Sequence, residues 1–298
     1  MPGRPWMVAE RTWAGARDID WQLAVLPWGA TEPHNLHLPY GTDTVESQGI
    51  AAEAGRLAWE RGARVAVLPT VPFGANAGQV MLPLTVDMRP STQLALLRDV
   101  VRSLERQNIP RLVVLNGHGG NDFRGMIREL QGESAVLICL VDWFRMPVAE
   151  DRPGADAAGA AGFGGAAGAA GAAGAAGAAG AAGAAGAAPQ QVPLFDDPGD
   201  HAGELETSLM LHLAPDQVAP LEEAGPGSTR PFTVAGLREG WAWTPRDWAR
   251  ATEDTGSGDP RAASAAKGAR YFRAVTERLA DFLVELAATD PARLYEGE

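Results

Sequence analysis

Thiol chemistry is almost absent from this 298-residue chain, which has one cysteine, Cys139. A single thiol forms no internal disulfide and builds no multi-thiolate metal site. Cys139 lies in the apolar run Ala135–Val141, where it is expected to pack as a small buried hydrophobe. Positive charge is also in short supply: 25 basic residues against 37 acidic ones give a formal charge of -12. Phosphate backbones repel such a surface, so a nucleic-acid partner is disfavoured, and so is an anionic membrane. No apolar block follows Arg4, Glu10, Arg11 and Arg17, and no run has the character of a spanning helix. The expectation is a cytoplasmic protein without a secretory leader.

The hydrophobic fraction of 46% overstates the material available for a core. Residues Gly154–Ala188 are almost entirely alanine and glycine, with Asp156 the only charge and Phe163 the only large side chain. Alanine favours helix, whereas a glycine at every third position opposes it by about 1 kcal/mol each. The tract reads as a flexible or partly helical insertion in a surface loop, burying little. It also lacks the transfer energy of a transmembrane helix.

Outside the tract, strands and helices alternate. Gln22–Pro27, Arg64–Pro69, Arg111–Leu115 and Ala135–Val141 are short apolar runs that suit buried strands. Helical spacing covers Thr44–Gly62, Pro90 to about Gln107 with Ser91 as N-cap, Phe123–Gln131, Glu204–Leu213 and Ala265–Ala288. This alternation predicts an α/β fold with a mainly parallel sheet covered on both faces. In such sheets, sites form beyond the carboxyl ends of the strands.

Three segments hold the chemistry. Trp28–Asp43 follows a strand and contains Glu32, His34, His37 and Asp43. Asn116-Gly-His118-Gly119-Gly120-Asn121 follows another strand, and Asp200–Ser208 carries His201, Glu204 and Glu206 at a helix start. Of five histidines, only His212 lies elsewhere. Imidazole and carboxylate together suit a borderline divalent ion such as Zn²⁺, Mn²⁺ or Fe²⁺. Glu32 and His34, two apart on extended chain, would point the same way. Asp43 has two oxygens with which to bridge a pair of ions. The glycines around His118 admit close backbone approach and offer amide donors to an oxyanion.

Read jointly, these residues resemble the creatininase (creatinine amidohydrolase) family. Gly29, Glu32, His34, His37, Leu38, Pro39, Gly41, Thr42 and Asp43 match its first motif, Asn116–Asn121 its second and His201–Ser208 its third. Asp254–Gly268 is similar to its late loop and last helix. The resemblance runs from about Trp21 to Tyr271 and implies one domain over 1–298, interrupted at 154–188, with a three-layer α/β/α fold. It also implies two divalent metal ions per subunit and a homo-oligomer, often a hexamer. Carried over by motif position, Glu32 and His118 would bind one ion, His34 the other, and Asp43 would bridge them. The further glutamate of creatininase itself is replaced here by Gly120, and by analogy with family members that share the glycine form Glu206 is expected to complete the second ion's ligands, with Glu204 in competition. Asn35 and Leu36 replace the usual Gly-Pro, and the loop Phe73–Gln79 lacks a histidine that relatives carry.

The implied activity is hydrolysis of a small cyclic amide at its C–N bond by a metal-activated hydroxide. Alternatives are a cyclic polyol ketone (inosose-like) as substrate of the same site, or a non-catalytic metal-binding scaffold. Besides Glu206, the expected catalytic residue is His201, as general acid. The expected substrate contacts are His37, Gly119, Gly120, Asn121 and Trp143, with core packing as the other reading of Trp143. Trp241, Trp243 and Trp248 suggest a pocket rim or a subunit interface.

Overall fold

The apolar runs assemble into one parallel sheet of order β2-β1-β3-β4. In this computed structural model, residues 3–147 and 194–295 are described, so the expectation for Gly154–Ala188 lies outside the described residues. In chain order the elements are α1 (Trp13–Ala16), β1 (Leu23–Trp28), α2 (Thr42–Glu60), β2 (Val65–Val67), α3 (Pro90–Arg106), β3 (Arg111–Asn116) and α4 (Phe123–Gln131). There follow β4 (Leu137–Asp142), α5 (Glu204–Leu213), α6 (Ala235–Arg238), α7 (Trp248–Ala251) and α8 (Ala265–Ala288), with short 3₁₀ turns between.

Every residue of β1, β2 and β3 is buried, as expected of strands covered on both faces. Alternate residues feed two cores. Leu23, Val25, Val65, Val67, Val113 and Leu115 pack against Ile50, Ala54 and Ala58 of α2 and Val275, Leu279 and Leu283 of α8. On the other face, Leu26, Trp28, Leu112 and Val114 meet Leu97 and Val101 of α3 and Phe123, Met126 and Leu130 of α4. The fold is α/β, in three layers.

Several local expectations are corrected. Ser91 is not the N-cap of α3: Arg89 takes that place and Pro90 opens the helix, where a missing N–H costs nothing. Helix α2 starts at Thr42, not Thr44, which brings Asp43 into its first turn. Strand β2 is only three residues long. Strand β4 lies at the sheet edge, so Cys139 is half-buried against the first core rather than enclosed by it.

The parallel register pairs Trp28 with Asn116 and Asn116 with Asp142. The ends of β1, β3 and β4 therefore lie level, and the loops leaving them share one rim of the sheet.

Candidate metal centre

At that rim the first two segments meet the start of α5. Glu32 and His34 come from the loop after β1, Asp43 from the first turn of α2, and His118 from the loop after β3. His201 and Glu206 arrive at the beginning of α5. Glu32, His34 and Asp43 are all 1% exposed or less. Asp43 and Glu206 sit in first helical turns, where free N–H groups favour negative charge.

The hydrogen bonds of the imidazoles define the chemistry. His34 Nδ1 lies 3.0 Å from the Glu32 carbonyl, His118 Nε2 3.1 Å from the Ala75 carbonyl, and His201 Nε2 2.9 Å from the Pro33 carbonyl. A carbonyl only accepts, so each of these nitrogens carries the hydrogen. In a neutral ring the other nitrogen then presents its lone pair, and all three of those nitrogens face carboxylates. His34 Nε2 is 3.0 Å from Asp43 Oδ1. His118 Nδ1 is 2.9 Å from Glu32 Oε1 and 3.1 Å from Asp43 Oδ2. His201 Nδ1 is 3.8 Å from Glu32 Oε1.

Yet Glu32 Oε1 and Asp43 Oδ2 are buried without a hydrogen bond of acceptable geometry. Atoms that converge so closely could hold a shared cation: three overlapping sets, Glu32–Asp43–His118, His34–Asp43–Glu206 and Glu32–His34–His201, place their ligand atoms within 4.8 Å of one another, and Glu32, His34 and Asp43 each belong to two of them. The local field retains positive charge. Burial opposes the charged His34 ring, but Asp43, Glu206 and Glu32 together push it up to about 9. His118 is raised likewise against burial by Glu32 and Asp43. Burial works to raise the Asp43 carboxyl, and the two imidazoles overcome it and hold it well below its ordinary range.

The two candidate glutamates separate cleanly. Glu204 accepts from the Asp196 and Asp197 N–H groups and pairs with Lys267, so it anchors the segment leading into α5. Glu206 faces the cluster and accepts from the Ala202 N–H. At Gly120 a Cβ would stand 2.3 Å from the Ala75 carbonyl oxygen and 2.4 Å from His118 Nε2. A glutamate there would push into the hydrogen bond that orients His118.

The residues expected to contact substrate are placed differently from one another. His37 is 2% exposed and its Nε2 meets Thr207 Oγ1 at 2.8 Å. Burial and the charge of His34 lower it to about 4, so it stays neutral behind the ligands. Asn121 is drawn inward: its oxygen accepts from Ala75 N and Gln93 Nε2, and its nitrogen donates to Asn116. It braces the glycine loop. Trp143 is fully buried in the first core against Tyr271 and Phe144, because the chain turns inward after β4; it walls no open pocket. Gly119 and Gly120 are exposed, and among the described residues their N–H groups have no protein acceptor. Trp241 and Trp243 are largely exposed, whereas Trp248 lies over His201 at 4.8 Å.

Three contributors carried no sequence signal. Gln79 donates to Glu32 Oε2, and Ala75 and Pro33 contribute main-chain carbonyls whose position depends on loop conformation. Gly78 accepts from Trp248 N, which ties the late tryptophan segment to the loop after β2.

Comparison with known proteins agrees with this geometry. The family model for creatininase, described as creatinine amidohydrolase, matches residues 9–283. The chain belongs to the creatininase family. A mycofactocin precursor peptide peptidase of Mycolicibacterium smegmatis is 29% identical over 265 residues, covering 87% of this chain and 83% of the relative. A Bacteroides fragilis structure, provisionally assigned as a creatinine amidohydrolase, is 38% identical with a TM-score of 0.78, covering 99% of this chain and 100% of the other. A manganese creatininase shares the fold at 22% identity and a TM-score of 0.61, covering 95% of this chain and 99% of the other. This is therefore a creatininase-family hydrolase with a metal-binding type of site. Among the described residues, no helix is long and apolar enough to cross a membrane.

Proposed function

We propose that the protein is a metal-dependent amidohydrolase that opens a small cyclic amide at its C–N bond. The observation that carries this reading is the pair of buried imidazoles His34 and His118, each donating one N–H to a main-chain carbonyl and aiming its other nitrogen at shared carboxylates. That arrangement fixes tautomer and ring orientation for metal binding. Glu32, His34, Asp43, His118 and Glu206 would hold two divalent ions, with Zn²⁺, Mn²⁺ or Fe²⁺ matching the nitrogen and oxygen donors. When bound, such ions supply an activated water and polarise the substrate carbonyl.

The protein's own groups perform the rest. Asp43 and Glu206 keep their carboxylates at helix starts, and Gln79 steadies Glu32. The Gly119 and Gly120 N–H groups are available to an oxyanion. His201 has its Nε2 committed to Pro33, so Nδ1 is the atom that holds a proton for the departing nitrogen. His37 stays neutral and keeps Thr207 in place. The same reading takes 1–298 as one domain and the working form as a homo-oligomer.

A second reading has one observation in its favour: several relatives are named as peptide peptidases, and a peptide bond is also an amide C–N bond. The test is turnover by metal-loaded protein on creatinine, hydantoins, small lactams, a cyclic polyol ketone and short peptides. Ring opening of a cyclic amide is the expected result. Cleavage of peptides alone transfers the activity to the second reading, and turnover of none defeats both.

A further inference from the structure

Of the three imidazoles in the centre, His201 is held least by hydrogen bonds. His34 Nε2 and His118 Nδ1 each lie within 3.1 Å of a carboxylate oxygen. His201 Nδ1 stands 3.8 Å from Glu32 Oε1, beyond hydrogen-bond reach, so the ring is bonded only through Nε2 to the Pro33 carbonyl. One such bond fixes where Nε2 sits and lets the ring tilt about that point. The main chain is firm, because His201 and Ser257 exchange both backbone bonds, at 3.0 and 2.8 Å. That still leaves the side chain its own torsions. Packing must set the tilt, and two rings supply it: the His34 imidazole at 4.2 Å and the Trp248 indole at 4.8 Å.

Trp248, at the start of α7, is itself pinned. Its N–H donates to the Gly78 carbonyl at 3.0 Å. A Cβ at Gly78 would stand 2.0 Å from the Arg246 carbonyl oxygen and 3.3 Å from Trp248 Cδ1, so the two segments meet at a distance that only glycine permits. The Arg246 guanidinium lies over the indole, 4.7 Å from its centroid. The same guanidinium pairs with Asp200 at 3.0 Å, and Asp200 is the residue before His201. The contacts close on themselves: His201 to Trp248, Trp248 to Arg246, Arg246 to Asp200, and Asp200 back to His201 through the peptide bond. Arg246 and Asp200 are 29% and 52% exposed in their side chains, and a pair so open to solvent adds little stability by itself. Its consequence is geometric, because a planar guanidinium that meets both a ring face and a carboxylate is confined in orientation.

We propose that Trp248 and Arg246 are positioning residues for His201, clamping its ring from the late segment so that Nδ1 stays turned toward the carboxylate cluster. The benefit to catalysis rests on the amidohydrolase reading, in which Nδ1 serves the departing nitrogen; the clamp itself does not. Misplacement by about 1 Å can cost about 10²-fold in rate. Neither residue has to touch substrate for this.

The first test reads the ring without turnover. In protein labelled with ¹⁵N in its histidines, the Nε2–H that His201 gives to Pro33 is expected as a slowly exchanging imidazole signal, identified by its loss in His201→Gln. Spectra are recorded on the full chain as purified and after loading with zinc, which is diamagnetic. Trp248→Ala should broaden or abolish the signal, and Trp248→Phe, which returns an aromatic face, should restore it. A parent without the signal, or Trp248→Ala with the parent's signal, overturns the clamp. The second test separates kcat from KM on the fastest cyclic amide among creatinine, hydantoins and lactams. Trp248→Ala should lower kcat about 10- to 100-fold with KM within about threefold, and Trp248→Phe should recover most of the loss. A raised KM with unchanged kcat makes Trp248 a substrate contact, and no change in either makes it surface packing; both results refute the positioning role. Should Trp248→Ala fail to fold, Arg246→Ala opens the same clamp from outside: kcat lowered by about threefold or more, with partial recovery in Arg246→Lys, supports it, and unchanged kcat refutes it. If the parent opens none of these rings, the amidohydrolase reading fails, and the histidine spectrum alone then decides the clamp.

Discussion

Replacing Gly120 by alanine tests the construction of the centre at its tightest point. The added methyl would stand 2.3 Å from the Ala75 oxygen and 2.4 Å from His118 Nε2, the two atoms joined by a 3.1 Å hydrogen bond. One of them must yield. The Ala75 segment is held by Asn121 through its N–H, so the His118 ring is the easier part to displace. Overpacking of this kind costs about 1–3 kcal/mol of stability. Loss of a partner that orients a ligating histidine weakens metal binding about 10- to 100-fold, or about 1.4–2.8 kcal/mol. Competition against a chromophoric chelator, with a thermal melt of the same samples, measures both quantities. Gly120→Ala that binds metal within twofold of the parent and melts at the parent's temperature would refute the claim that the Ala75 carbonyl sets the His118 ring. Gly120→Glu carries the same clash, so restoring the glutamate of other family members should weaken metal binding rather than add a ligand.

Asp43→Ala and His118→Ala should each lose metal and activity together, as read by elemental analysis and turnover, because each removes an atom from the Glu32–Asp43–His118 set proposed to hold one ion. His201→Ala should retain metal and slow turnover by about 10²- to 10⁴-fold, the usual reach of general acid catalysis; loss of metal in that variant would reassign His201 as a ligand. His37 is lowered to about 4 in the fold. Between about pH 6.5, its ordinary value, and pH 4 the unfolded chain binds the extra proton, so stability falls as pH falls through that window, by up to about 3 kcal/mol. Denaturant melts should show this slope flattened in His37→Gln. Deleting Gly154–Ala188 should leave melting temperature and metal content unchanged, since Glu204, Lys267 and Phe195 anchor the returning chain without it.

The sheet was legible because buried parallel strands write themselves as short continuous apolar runs, and the helices because their buried positions recur with helical spacing. Phe123–Gln131, Glu204–Leu213 and Ala265–Ala288 occur with the bounds read from the pattern. The start of α3 lies at Pro90 as the pattern places it, but its cap is Arg89 without a side-chain bond rather than Ser91, and α2 begins two residues before the pattern places it, at Thr42. The clustering of Glu32, His34, Asp43, His118 and Glu206 was legible because imidazoles and carboxylates in this density have few structural uses. Sequence shows which side chains neighbour a loop but not which way they point, so it left Trp143 open between pocket and core, where it packs, and gave no sign that Asn121 braces the glycine loop. Main-chain carbonyls are less visible still. Ala75 and Pro33 orient two imidazoles, and neither residue type advertises it.

The departures from the family pattern show why the metal site reads more clearly than the substrate. Asn35 stands where the family has glycine, and its φ is 56°, in the left-handed region that asparagine tolerates better than most residues. The backbone path beside His34 is thereby preserved without the glycine. The side chain then does what glycine cannot: its oxygen accepts from Leu36 N and Gly225 N, its nitrogen donates to the Gly225 carbonyl, and its own N–H donates to Thr255 Oγ1. Asn35 thus ties the ligand loop to the late segment and serves as a brace. The loop from Phe73 to Gln79 is tied inward at Asn76 and Gln79, whereas Trp241 and Trp243 face solvent and Trp248 alone reaches back, through its N–H to the Gly78 carbonyl and its ring to His201.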